Sequence, residues 1–147
     1  MTSRLHAFIT QHESEKFATD TGLAMHAKLQ HVYLGAKQCG DKDLIEKIVG
    51  CGDELKSFFM DNSQVEVPIA GTVDGHFISR RIDRLVIDDK TKTIRILDYK
   101  TDTDTEKFRT KYIAQLHEYA QLLKQIYPKY KISAYILWLH NWTLEHI

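Results

Sequence analysis

The sequence predicts an α/β protein in which helices flank a mixed central sheet. Two runs rich in β-branched residues, 77–87 and 94–97, enclose the polar stretch 88–92, a pattern typical of an antiparallel hairpin. An amphipathic segment follows from about Glu106 to Tyr127, with apolar residues recurring at spacings of three and four. The apolar run 131–139 predicts a strand beyond that helix. Because strands and helices alternate in this part of the chain, we expect a mixed sheet with helices on its faces.

Before the hairpin, the sequence predicts mainly helices. Residues 23–34 carry an apolar stripe that Gly35 would end, and shorter helices are expected over 43–49 and 53–60. Residues 64–69 alternate with period two and predict a strand, which Pro68 favours placing at the edge of a sheet.

Two further signals complete the strand pattern. Asp74-Gly75 is a hairpin-turn dipeptide, so the strand at 64–69 should lead directly into the one at 77–87. Residues 142–147 are expected to add an edge strand at the end of the sheet.

Length and composition indicate one globular domain, 1–147. The chain has 147 residues, of which 43% are hydrophobic, and twenty basic residues balance twenty acidic ones. This neutral balance counts against a free-standing, nonspecific nucleic-acid binder. Cys39 and Cys51 are too few for a disulfide scaffold or a four-cysteine metal site. We expect no signal peptide, no membrane association and a cytoplasmic location.

The hairpin concentrates charged side chains. A loop symmetric about Lys90-Thr91 would place Asp83 opposite Asp98, with Cβ atoms about 5 Å apart, where like charges repel. A positive group is therefore expected between them. Lys100, on the same strand face as Asp98, is one choice, and a divalent cation is the other.

This arrangement is similar to a known catalytic motif. Asp83, followed after fourteen residues by Asp98-Tyr99-Lys100, resembles the D…(D/E)xK site of the PD-(D/E)xK nuclease superfamily. The segments 82–85 and 97–101 resemble the RecB/AddA-type exonuclease branch more closely. The resemblance implies an α-β-β-β-α-β, restriction-endonuclease-like core. The alternative is a surface hairpin with weak Asp–Lys pairs, but the flanking motifs favour the nuclease.

Three flanking motifs extend the resemblance. Gly22 to His26 matches the G-x-x-x-H motif of the RecB/AddA type, and Gln115 to Tyr119 matches its Q-L-x-x-Y helix. Glu66 matches an upstream glutamate and would join the catalytic set, although an exposed strand glutamate is an equal alternative. Tyr119 is also compatible with an ordinary core role. Arg80 departs from the pattern, because the family commonly has glycine there.

The resemblance implies a role for each residue. Mg²⁺, or Mn²⁺ in its place, would be held by one nitrogen, two carboxylates and one carbonyl, from His26, Asp83, Asp98 and Tyr99. Lys100 would orient the attacking water or neutralise developing charge. Substrate contacts would come from Arg84, Gln115 and Tyr119, with support of the metal site as a second role for Arg84 and Gln115.

The function this implies is a Mg²⁺-dependent DNA exonuclease of the RecB/AddA type, acting in recombination and double-strand-break repair. The chain has no G-x-x-x-x-G-K-[ST] motif, so it would act alone or beside a helicase subunit or domain. The competing hypothesis is a noncatalytic, nuclease-like module that binds DNA or assists assembly. A metal-dependent cleavage assay separates the two.

Overall fold

A five-stranded sheet forms the centre of the computed structural model, which describes residues 24–147. Residues 24–29 are helical and are labelled α1. The remaining elements, in chain order, are α2 (Lys42–Gly50), α3 (Asp53–Lys56), a 3₁₀ turn (Ser57–Phe59), β1 (Ser63–Val73), β2 (His76–Asp88), β3 (Thr93–Lys100), α4 (Thr105–Ile126), β4 (Lys131–Trp138) and β5 (Thr143–His146).

The strands lie in the sheet in chain order. β1, β2 and β3 form an antiparallel meander, α4 crosses over to β4, which runs parallel to β3, and β5 pairs antiparallel with β4 at the other edge. The mixed α/β class is confirmed, as is the edge position of the strand that contains Pro68. None of the described helices is both long and apolar enough to cross a membrane.

The sheet carries an apolar core on each face. The helices before β1 cover one face, where the buried side chains include Leu29, Val32, Ile48, Leu55, Phe58, Phe59, Leu97 and Leu137. Helix α4 covers the other face, where they include Ile69, Ile78, Ile82, Leu85, Ile96, Leu116, Leu122 and Ile136. Asp83 and Asp98 therefore lie on strands that are packed on both faces.

The first helix ends earlier than the sequence predicts. The described helical residues stop at 29, and Tyr33 instead forms a two-way backbone bridge with Cys39. The prediction of a helix to residue 34 is wrong, because the carbonyls of Leu29 and Val32 both accept hydrogen bonds from Arg84 at 2.9 Å. These hydrogen bonds to Arg84 take the place of the backbone hydrogen bonds that would continue the helix, although the apolar stripe favours a longer helix.

The hairpin of β1 and β2 extends beyond the rest of the sheet. β2 pairs with β3 only from Arg84 to Asp88, so residues 67–82 form a two-stranded arm, called here the β1–β2 arm. Its turn is Asp74-Gly75, with φ values of 50° and 80°, as the dipeptide predicts. One face of the arm packs on α4, where a Cβ at Gly71 would lie 2.8 Å from Leu122 Cδ2.

Candidate active site

The register of the central hairpin is the one that the sequence predicts. Arg84 pairs with Leu97 and Asp88 pairs with Thr93, so Asp83 and Asp98 are the next opposed residues. The ladder of paired residues stops at this point. The Asp83 carboxylate accepts a hydrogen bond from the Tyr99 N–H at 2.8 Å instead. The side chain of Asp83 therefore points into the gap where β2 and β3 separate.

Strand β1 changes face opposite Asp83. The Ser63 hydroxyl accepts a hydrogen bond from Arg84 on the α1 side of the sheet, whereas Val67 packs on the α4 side. Regular alternation would put these two side chains on one face. The change occurs at Glu66, which has φ of 51° and whose carboxylate lies 3.9 Å from Arg81 Nη1. The catalytic role of Glu66 stays a prediction.

The Asp83 carboxyl is in an environment that disfavours its charge. Burial, the negative charge of Asp98 and a hydrogen bond to the Asp98 carboxyl raise the pKa of Asp83 to about 9, against the lowering effects of the Tyr99 N–H and Lys100. The two carboxylates therefore repel each other when both are ionised, as their register implies.

Asp98 and Lys100 form the second half of the cluster. Lys100 Nζ lies 2.9 Å from Asp98 Oδ2 and donates a hydrogen bond to Gln115 Oε1 at 3.1 Å. The contact with Asp98 is an ion pair without hydrogen-bond alignment, and the buried Oδ2 makes no hydrogen bond within residues 24–147. A buried carboxylate oxygen in this state retains the capacity to bind a cation.

Helix α1 brings His26 to the same place. His26 Nε2 lies 3.2 Å from the Tyr99 carbonyl oxygen and 3.6 Å from Asp83 Oδ2. The helix is held there by Leu29, which is wholly buried in the core. The structure thus brings together His26, Asp83 and the Tyr99 carbonyl. Gly22, the first residue of the predicted G-x-x-x-H motif, lies outside the described residues.

These groups are suited to Mg²⁺ or Mn²⁺. Across residues 24–147, no three His, Cys, Asp or Glu side chains cluster in a ready-made metal site. Mg²⁺, however, commonly uses only one or two carboxylates, with waters and substrate phosphates as its other ligands. Asp98 Oδ2, which has an ion pair but no hydrogen bond within residues 24–147, and the disfavoured charge of Asp83 are both features that a divalent cation would stabilise. The residues present therefore fit the metal that the resemblance implies.

Residues 52–144, more than half of the chain, match the sequence profile of the PD-(D/E)XK nuclease superfamily. The chain belongs to this superfamily. The match covers Asp83, Asp98, Lys100 and Gln115 but begins after His26. No curated protein matches the chain significantly.

In this PD-(D/E)XK domain, the surroundings of Arg84 match the second role predicted for it, support of the metal site. Its side chain is wholly buried and donates five hydrogen bonds, to the Tyr99 hydroxyl, the Ser63 hydroxyl and the carbonyls of Phe58, Leu29 and Val32. Every part of the guanidinium is therefore used within the protein. These contacts favour the supporting role, in which Arg84 joins α1, the 3₁₀ turn and β3 behind the PD-(D/E)XK motif, and its substrate contact stays a prediction.

The two predicted residues of α4 have different environments. Gln115 faces the site, since its side-chain oxygen holds Lys100. Tyr119 is only 3% exposed and packs in the α4-side core. Burial, followed by the charges of Asp98 and Asp83, raises the pKa of its hydroxyl. The core alternative for Tyr119 is the one that this conformation favours, and its substrate contact stays a prediction.

Two further side chains near Lys100, those of Tyr112 and Asp102, were not among the predicted site residues. The Lys100 ammonium lies 4.2 Å from the centre of the Tyr112 ring, and the Tyr112 hydroxyl donates a short hydrogen bond to Asp102. Tyr112 stands three residues before Gln115, so one face of α4 presents both side chains to Lys100. This spacing was the available signal. Lys100 is held by a carboxylate, an amide and an aromatic ring.

Proposed function

We propose that the chain is a metal-dependent nuclease that hydrolyses phosphodiester bonds in DNA, with Mg²⁺ as its metal. The observation that carries the proposal is the buried pair Asp83 and Asp98, opposed across the hairpin with Lys100 beside it. A structural role alone does not account for two opposed buried carboxylates, one of which has an oxygen that meets the Lys100 ammonium but makes no hydrogen bond within residues 24–147. Membership of the PD-(D/E)XK nuclease superfamily supports the same reaction class.

Each residue has a distinct task in this proposal. A bound Mg²⁺ would lower the pKa of a water and stabilise negative charge on the phosphate. Asp83, Asp98, the Tyr99 carbonyl and His26 would hold it. The Lys100 ammonium, 16% exposed and fixed by Gln115, orients the water or stabilises charge as the phosphate reacts. Because its contacts fix Lys100 in advance, little reorganisation is needed during the reaction.

The finer assignment is an exonuclease of the RecB/AddA type, acting in DNA recombination and double-strand-break repair. Two features support it: the sequence around Asp83 and Asp98, and the position of His26 beside the Tyr99 carbonyl. The neutral net charge suits a domain to which a helicase subunit or domain delivers DNA.

One observation favours the noncatalytic alternative. Arg80, where the family commonly has glycine, lies on the α4 side of the arm and pairs with Glu118 at 3.9 Å. A side chain of this size narrows the space between β2 and α4. Cleavage is therefore the property that decides between the two functions.

The test is cleavage of linear and circular DNA in Mg²⁺ by the wild-type protein and Asp98→Ala. We expect loss of cleavage in Asp98→Ala with no fall in the melting temperature measured without metal, because the substitution removes the repulsion on Asp83. Asp53→Ala is the matched control, since its fully exposed carboxylate lies at the start of α3. Wild-type cleavage rates in Asp98→Ala would contradict the proposal. Ca²⁺ should bind yet support little cleavage.

A further inference from the structure

The β1–β2 arm has a second face, opposite the one that packs on α4. Ile78 and Ile82 of β2 are buried against α4. Because side chains alternate along a strand, Phe77, Ser79 and Arg81 point to the other side. All three are exposed, and Phe77 is 75% exposed. This surface is called the arm face.

The arm face is made mostly of small side chains. The β1 residues that pair with Phe77, Ser79 and Arg81 are Thr72, Ala70 and Pro68, all exposed. Within residues 24–147, no helix or strand covers them. The surface therefore consists of one aromatic ring and one guanidinium on a platform with little aliphatic bulk. Such a surface offers little apolar area for another protein.

The arm face leads directly to the candidate active site. Arg81 is two residues from Asp83 on β2, and its guanidinium approaches Glu66, which lies opposite Asp83. Phe77 is six residues from Asp83, a distance of roughly 20 Å along the strand. Helix α1, which supplies His26, lies on the same side of the sheet as the arm face. A chain of a few nucleotides spans this distance.

We propose that the arm face binds single-stranded DNA next to the reacting phosphate, with one base stacked on Phe77 and a backbone phosphate on Arg81. This inference rests on the proposed function for the identity of its ligand. An exposed aromatic ring on an open sheet face stacks on unpaired bases, which a duplex does not offer. The Glu66 carboxylate lies 3.9 Å from the Arg81 guanidinium, which offsets its charge, and Asp74 lies in the turn before Phe77.

The test measures the affinity of the full chain for a fluorescently labelled oligothymidine by anisotropy, in EDTA so that no cleavage occurs. We expect Phe77→Ala to weaken binding about tenfold, or ~1.4 kcal/mol, within the range for loss of one stacked base. Phe77→Trp should restore the affinity. Val49→Ala is the matched control, because Val49 is 47% exposed on α2, outside the β1–β2 arm. Duplex affinity should be the same in all variants.

A second substrate separates this inference from the proposed function. A p-nitrophenyl ester of thymidine monophosphate is too small to reach Phe77 from Asp83, so Phe77→Ala should cleave it in Mg²⁺ at the wild-type rate. Wild-type cleavage together with unchanged oligothymidine affinity in Phe77→Ala overturns the arm-face inference and leaves the nuclease proposal intact. If oligothymidine binding depends on Phe77 but the protein cleaves neither substrate, the nuclease proposal is overturned and the arm-face inference stands.

Two other occupants of the arm face would each change a measurable property of Phe77→Ala. If a second copy of the chain occupies it, Phe77→Ala dissociates a dimer in analytical ultracentrifugation. If another part of the same chain covers it, Phe77→Ala lowers the melting temperature without DNA by several degrees. Either result overturns the inference, because single-stranded DNA as the occupant leaves both properties unchanged.

Discussion

Asp83 and Arg84 are adjacent, charged and buried, yet their surroundings differ in one respect. Arg84 donates five hydrogen bonds and lies over the rings of Phe59 and Tyr33, at 4.2 and 5.0 Å. Asp83 accepts one hydrogen bond from a backbone N–H and faces a second carboxylate, Asp98. The charge of Arg84 is fully compensated by the protein, and a charge on Asp83 would not be.

The difference separates a structural charge from a functional one. A buried charge is tolerated when hydrogen bonds replace the water it has lost, and it destabilises the protein when they do not. Arg84 meets this condition through α1, the 3₁₀ turn and β3, so it joins parts of the chain that are far apart in sequence. Asp83 and Asp98 have only some of the hydrogen bonds needed to replace water, which is consistent with a pair of carboxylates that binds a cation.

The largest expected effect is on folding, in Arg84→Met. Methionine fills much of the volume but leaves the carbonyls of Leu29, Val32 and Phe58 without their donor, so we expect a loss of about 3–5 kcal/mol in the free energy of unfolding. Denaturant unfolding measures it. Asp83→Asn, the control at the neighbouring position, should cause no loss. Equal losses in both variants would show that the two charges do not differ in the way described.

The next effect is on the reaction, in Lys100→Met. Removing a preorganised charge that acts on the transition state reduces the rate by about 10²–10³-fold. Mn²⁺ affinity, measured by calorimetry, should be nearly unchanged, because an ammonium does not ligate a metal. Loss of Mn²⁺ binding together with cleavage would mean that Lys100 maintains the carboxylate geometry and takes no part in the reaction.

The third effect is a pH dependence of stability in the metal-free protein. The pKa of Asp83 is raised to about 9 in the folded state, so folding favours the protonated form. The contribution of protonated Asp83 to the free energy of unfolding is complete below about pH 4 and is lost as the pH rises through 9. The free energy of unfolding then falls by at most about 1.4 kcal/mol per pH unit. Comparison of wild-type protein and Asp83→Asn by denaturant unfolding at several pH values isolates this slope. Saturating Mg²⁺ should reduce it, and equal slopes in the two proteins would contradict the raised pKa.

The sequence predicts the part of the site that depends on strand geometry. Alternation and a symmetric loop are enough to place Asp83 opposite Asp98 and Lys100 on the face of Asp98, since strand register follows from the hydrophobic pattern. The long helix follows from periodicity in the same way, whereas Gln115 was predicted from the resemblance to the Q-L-x-x-Y motif. These features are local, so a short stretch of residues contains the information.

Contacts between distant segments explain what the sequence did not reveal. Arg84 has a motif position that suggests a substrate contact, but its partners begin with Leu29, 55 residues earlier. The early end of α1 depends on the same contact. The change of face at Glu66 is also hidden, because a positive φ at a glutamate has no signature in the sequence pattern.

The smallest expected effect is on metal affinity, in a variant of His26. This residue lies before residues 52–144, which match the superfamily profile, and it can belong with either Asp83 or Arg84. Its Nε2 lies within 3.2 Å of the Tyr99 carbonyl and 3.6 Å of Asp83, so these groups converge on the uncompensated side of the cluster. If His26 binds the metal, His26→Ala should weaken Mn²⁺ affinity about tenfold or more, on the order of 1.4 kcal/mol, with little change in the metal-free melting temperature. His31→Ala, at an exposed position, is the control. Unchanged Mn²⁺ affinity with reduced thermal stability would instead place His26 with Arg84, among the residues that hold the fold.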